Sequence, residues 1–166
     1  AYGFAAASVP KIAPLASSGD VQSARAAALK AILITLGVAI PFSIALYVFA
    51  PLAADIIFRS LTAEQNALLV RLVRIMSINA VTLSLTQTAS ACLTALGTPV
   101  RATAVQWVTC ALRVGLAALF IVRGFSVDGV AIASNIAYFV AAAVNLWYII
   151  KVKANSNALK SKRRSV

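Results

Sequence analysis

Four stretches of this chain run for twenty residues or more with few or no charges: Leu29 to Ala50, Leu68 to Leu96, Val100 to Val122 and Val127 to Ile150. A helix rising about 1.5 Å per residue needs about 20 apolar residues to cross about 30 Å of hydrocarbon. Backbone in lipid satisfies its hydrogen bonds either within one helix or around a closed barrel, and these runs are too long and too evenly apolar for barrel strands. The expected fold is therefore all-α, a polytopic transmembrane helical bundle. Composition agrees, since 61% of the 166 residues are hydrophobic and only 11% are charged, far from the usual soluble balance.

Turn chemistry separates the runs. Residues 1–20 read as the end of a transmembrane helix whose start is missing, followed by a turn, so the chain is expected to be part of a larger protein. Lys11 follows the first apolar stretch instead of preceding it, unlike a signal peptide. Gly19-Asp20 closes this segment and offers Asp20 as an N-cap. After Pro51, residues 51–59 have the look of a short interfacial helix, and Thr62 with Gln65 fits a capping box. Gly97-Thr98-Pro99 combines a glycine stop with a proline restart, which predicts antiparallel neighbours on either side. Arg123-Gly124 opens the last turn, and Pro41 invites a kink in the middle of its span. The four spans thus fall within residues 21–152, with a basic tail at 153–166.

The basic residues set the orientation. Lys11, Arg25, Lys30, Arg101, Lys151, Lys153, Lys160, Lys162, Arg163 and Arg164 collect on one side, against Arg59, Arg71, Arg74 and Arg123 on the other. By the positive-inside rule the richer side is cytoplasmic, which puts the tail of this multi-pass chain in the cytoplasm. A helix from Ala63 to Leu96 would be roughly 51 Å long, more than the bilayer requires, so Arg71 and Arg74 are expected as anchors at the outer interface. The tail is expected to lie against anionic membrane lipids and needs no nucleic-acid partner.

Residues that carry covalent chemistry are scarce. There is no histidine, and the acidic residues are Asp20, Asp55, Glu64 and Asp128 alone. No phosphate-binding glycine loop or nucleophile elbow is present, nothing calls for a cofactor, and an enzyme is not expected. Cys92 and Cys110 differ in depth by roughly 9 Å, which argues against a disulfide.

Against this background Arg113 is the residue that asks for a function. It sits in VTCALRVGLAALF, nine residues before Val122 and fourteen after Pro99, near the middle of the bilayer, where a charge costs several kcal/mol. Its side chain is too short to bring the guanidinium fully to either surface, and none of the four carboxylates is expected at its depth. Thr109, Gln106 and Thr103 precede it along one helical stripe. Asn79, Thr82, Thr86 and Ser90 form a second stripe, and Ser134, Tyr138 and Asn145 a third. Three polar seams point to a hydrated central space, with Arg113, Gln106, Thr109, Asn79 and Thr86 as the residues expected to line it. Ser and Thr that bond their own helix carbonyls, or that hold helices together, would leave the same pattern.

The order of these features is also that of a known family. The run SVPKIAPLASSGDVQSARAA, a span ending in APLAADIIF, a long helix closing with CLTALGTP, a helix with a central basic residue and VDGVAIASNIAYFVAAAVNLWYIIK resemble the C-terminal half of polysaccharide and lipid II flippases. Within the multidrug/oligosaccharidyl-lipid/polysaccharide exporter superfamily, the stage V sporulation protein B branch is the most similar. The resemblance covers nearly all of Ala1 to Lys151.

The resemblance implies the C-terminal lobe of a two-lobed, alternating-access flippase of a bacterial cytoplasmic membrane. It would act in peptidoglycan or polysaccharide synthesis, with sporulation as one setting. The substrate would be lipid II or a related lipid-linked oligosaccharide, and the missing N-terminal lobe would be the partner. Arg113 stands where relatives often carry lysine, which implies contact with the substrate pyrophosphate; four residues on, Ala117 replaces a common asparagine. A multidrug/cation antiporter of the same superfamily and a structural membrane protein are the alternatives. The antiporter would more often need an intramembrane carboxylate.

Overall fold

A computed structural model describes residues 2–57, 62–125 and 127–151, with side chains from residue 9 onward and that of residue 57 excepted. Six helices occur among them: α1 (Tyr2–Ser17), α2 (Val21–Val48), α3 (Ala50–Ile57), α4 (Ala63–Ala95), α5 (Pro99–Val122) and α6 (Val127–Lys151). Four of these, α2, α4, α5 and α6, are long and apolar enough to cross a membrane. The chain is an all-α, multi-pass membrane protein. Arg59 and the basic tail from 153 onward lie outside the described residues.

Helix boundaries follow the cap chemistry. The Asp20 carboxylate accepts from the Ser23 amide at 3.0 Å and opens α2. Thr62 and Gln65 form a reciprocal box at the start of α4, each side chain accepting from the other's backbone amide, at 3.4 and 3.1 Å. At the end of α4 the chain turns left-handed at Gly97, φ 80°. There Gly97 N donates to Thr94 O at 3.0 Å and Thr98 N to Leu93 O at 3.1 Å, satisfying carbonyls that α4 leaves open. Pro99 then starts α5, where its missing N–H is no loss. The same turn recurs at Gly19 and Gly124, with φ of 85° and 82°. Helix α2 starts eight residues before the apolar run does and continues through Pro41 to Val48.

Side-chain ties give the register. From α2 to α4, Ser43 donates to Ser77 O at 2.6 Å, the Thr35 and Thr88 hydroxyls meet at 3.2 Å, and the Cys92 thiol lies 4.0 Å from Ala28 O. Numbers rise on α4 as they fall on α2, so the two helices are antiparallel. From α4 to α6, Arg71 pairs with Asp128, Asn135 donates to Ile75 O at 3.0 Å, and Thr86 to Tyr138 O at 2.9 Å. Here both rise together, so α4 and α6 are parallel. Helix α4 is the centre, with α2 on one side and α6 on the other; α5 packs mainly along α6, and α1 lies against α2 and α4.

The packing is inverted relative to a water-soluble protein. Thr86, Thr88 and Asn145 are wholly buried, while Trp107 is 74% and Phe139 67% exposed. In lipid, large apolar side chains gain nothing by turning inward, whereas small residues let backbones approach. Alanines accordingly fill the seams: Ala24, Ala28, Ala89, Ala133 and Ala137 are all fully buried. At the Lys11 end, Ile12, Leu93 and Ile149 close the core.

Candidate functional site

Halfway along the bundle the four spans each bring polar groups to one level. Thr35 of α2 meets Thr88 of α4; two residues earlier Thr86 reaches across to Tyr138 of α6; and the Tyr138 hydroxyl accepts from Arg113 Nη1 of α5 at 3.0 Å. Tyr138 is the junction, because its carbonyl holds α4 and its phenol holds the arginine. The sequence places Tyr138 on a polar seam of α6 but contains no signal for this double use. Its carbonyl is recruited because Thr86 has a hydroxyl free to bifurcate, 2.8 Å from its own Thr82 O and 2.9 Å from Tyr138 O.

Arg113 is the fifteenth residue of the 24 in α5. It lies about 21 Å along the axis from Pro99 and about 14 Å from Val122, within the span. Its side chain is exposed, and among the described residues it makes no ion pair. Its one hydrogen-bond partner there is the neutral phenol. The four carboxylates of the chain all sit toward helix ends: Asp20 caps α2, Asp55 is in α3, Glu64 is in the first turn of α4 and Asp128 in the first turn of α6.

The five residues expected to line a common space divide into two groups. Gln106 is exposed along α5 with Arg113. Thr109, Asn79 and Thr86 are buried in helix seams. Thr109 donates to Val105 O at 2.6 Å and lines a groove of about 280 Å³ between α5 and α6. Asn79 donates weakly to Met76 Sδ at 3.8 Å. Thr86 acts as the α4 to α6 tie described above. A second cavity of about 400 Å³ lies between α2 and α4, with Thr35 and Ser84 among apolar walls. Thr109 and Arg113 share a stripe, yet α5 rests chiefly on α6, and this one-sided packing takes in Thr109 while leaving Arg113 and Gln106 open.

Two features at the opposite end of the bundle were not visible as a pair in the sequence. Arg71, expected as an interface anchor, is joined to Asp128 across 57 residues of chain. The pair is lopsided, with the arginine side chain 65% exposed and the aspartate 11%. Arg74 lies over the Tyr47 ring, its guanidinium carbon 5.3 Å from the centroid. Among the described residues no group of histidine, cysteine and carboxylate side chains is arranged to hold a metal.

Compared with known protein families, with curated proteins and with solved structures, the chain gives no significant match.

Proposed function

We propose that this chain is the C-terminal lobe of a flippase that carries lipid II, or a related undecaprenyl-pyrophosphate-linked oligosaccharide, across a bacterial cytoplasmic membrane. The observation that carries this reading is Arg113: a permanent cation within a membrane span, exposed on α5 and held by a neutral phenol alone among the described residues. A guanidinium facing hydrocarbon is costly, so the α5 face has to be covered by a hydrated cavity or an anion. A second lobe closing over Arg113 and Gln106 would form that cavity. The resemblance in motif order to C-terminal halves of such flippases supports the same assignment.

The physical task is to lower the barrier to moving a charged headgroup through lipid while its tail stays in hydrocarbon. Arginine pairs bidentately with phosphate oxygens and stays charged at any cellular pH. The Tyr138 hydroxyl would hold the guanidinium level with the middle of the bundle until the pyrophosphate replaces or joins it. Alternating access then exposes the headgroup on the other side, and no bond of the substrate is made or broken. In this orientation the Lys11, Arg101 and Lys151 end faces the cytoplasm. An antiporter reading is less well supported, because no carboxylate of this chain lies at the level of Arg113.

Outer-leaflet exposure of lipid II, in cells that rely on the full-length protein, tests the reading with wild type, Arg113→Lys and Arg113→Ala at equal membrane abundance. Alanine is expected to lower exposure at least tenfold and lysine to restore part of it. Wild-type exposure with alanine would overturn the assignment of Arg113 to headgroup transport.

A further inference from the structure

Helix α4 outruns the bilayer. Arg74 lies about 32 Å along its axis from Ala95, roughly the hydrocarbon thickness, which sets Arg74 and Arg71 at the headgroup level of the surface opposite Lys11. There α2 and α4 flank an open cleft of about 390 Å³. Tyr47 of α2 forms one wall, Arg71 and Arg74 line the other, and Val70, Ile75 and Ile78 form its apolar part.

Among the described residues the charge in this cleft is not balanced. Two guanidiniums three residues apart share one face of α4, and the Asp128 carboxylate pairs with Arg71 alone. Among the described residues Arg74 has only the Tyr47 ring, a contact weaker than pairing with phosphate. Both arginines are exposed, so their remaining N–H groups are open to a ligand. Cations at the headgroup level beside an apolar wall at the hydrocarbon edge match a phosphate that is attached to a lipid chain.

We propose that this cleft binds the phosphate group of a membrane lipid, with Arg74 and the free face of Arg71 holding the phosphate and Ile75 and Ile78 receiving the start of its chain. The site needs only that the chain sit in a bilayer and does not depend on the transport reading built on Arg113. A bulk anionic phospholipid and a polyprenyl pyrophosphate present the same chemistry.

The test is native mass spectrometry of the purified full chain in detergent, titrated separately with phosphatidylglycerol, undecaprenyl pyrophosphate and phosphate-free diacylglycerol. Retention of either phosphate lipid well above diacylglycerol is expected, and the one retained more tightly identifies the source. The double variant Arg71→Gln, Arg74→Gln is expected to weaken that retention at least tenfold, and Arg123→Gln, a cation at the same end but outside the cleft, to leave it within twofold. Should the double variant fail to fold, Arg74→Gln alone leaves the Arg71–Asp128 pair in place and is expected to weaken retention at least threefold. Equal retention of all three lipids, unchanged retention in the cleft variants, or an equal loss with Arg123→Gln would overturn the proposal.

Discussion

The Arg71–Asp128 pair shows how unevenly a single contact distributes its energy. Asp128 is buried with one carboxylate oxygen already lacking a partner among the described residues, whereas Arg71 is mostly exposed. Removing the arginine leaves a buried anion; removing the anion leaves a cation at the surface. Arg71→Met is therefore expected to cost about 3 kcal/mol and Asp128→Asn about 1 kcal/mol, read as unfolding free energy in detergent. Equal costs would show that the aspartate is hydrated. Asn145 presents the opposite case: it is wholly buried and neither amide atom has a partner among the described residues. Asn145→Leu is expected to stabilise the isolated chain by about 1 kcal/mol, because the unmet polar group disappears. At the surface, hydrogen bonding to Ser23 holds the Asp20 carboxyl below its ordinary value of 3.8. A lowered value means that this cap supports folding fully above pH 3.8 and fades as pH falls through the folded value. The Ser23 amide resonance should accordingly titrate with a midpoint under 3.8.

At the scale of helices, the tightest fit is where α6 begins. A Cβ placed on Gly129 would come within 2.8 Å of the Phe120 Cβ and 2.9 Å of the Phe125 Cβ. Both atoms are anchored directly to backbone, so no flexible side-chain end can yield. Gly129→Ala is expected to destabilise by about 1–3 kcal/mol, as overpacking does, and to push α5 away from α6. A thermal shift assay would detect it, and an unchanged midpoint would mean that the α5 to α6 turn adjusts freely. The polar ties between spans contribute less individually, on the order of 0.6 kcal/mol each, because an unfolded chain in the membrane finds other partners for the same groups. Their use is to select one register: the Ser43 and Thr35 contacts hold α2 antiparallel to α4, and Asn135 and Thr86 hold α6 parallel to it.

For the molecule as a whole, orientation is the property with most consequence for function. Ser18 and Thr62 are exposed at opposite ends of the bundle. In a Cys92→Ala, Cys110→Ala background, a membrane-impermeant maleimide added to intact cells is expected to label Thr62→Cys and to reach Ser18→Cys only after permeabilisation. The reverse pattern would contradict the positive-inside assignment. How much of the molecule could be read beforehand depends on range. The Asp20 cap, the Thr62–Gln65 box and the Gly97-Pro99 turn were legible because each involves groups within five residues of one another. Arg113 was legible because a charge in an apolar run stands out without knowledge of its neighbours. Its partner Tyr138 was not, nor was the Arg71–Asp128 pair, since sequence spacing says nothing about which helices become adjacent.

The sequence by itself determined that this chain makes helices and crosses a membrane, and where most of those helices begin and end. Hydrocarbon leaves the backbone no other way to satisfy its hydrogen bonds, and caps act within a single turn. Only the tertiary structure decided that α4 is the central helix, that Thr86 and Thr109 serve helix seams while Arg113 and Gln106 stay open, and that two arginines and Tyr47 share a cleft. Those outcomes depend on how each helix is rotated about its own axis. Rotation is set by the fit of small residues against a neighbouring helix, and apolar side chains that are equally content in lipid or in protein leave the sequence pattern too weak to reveal it.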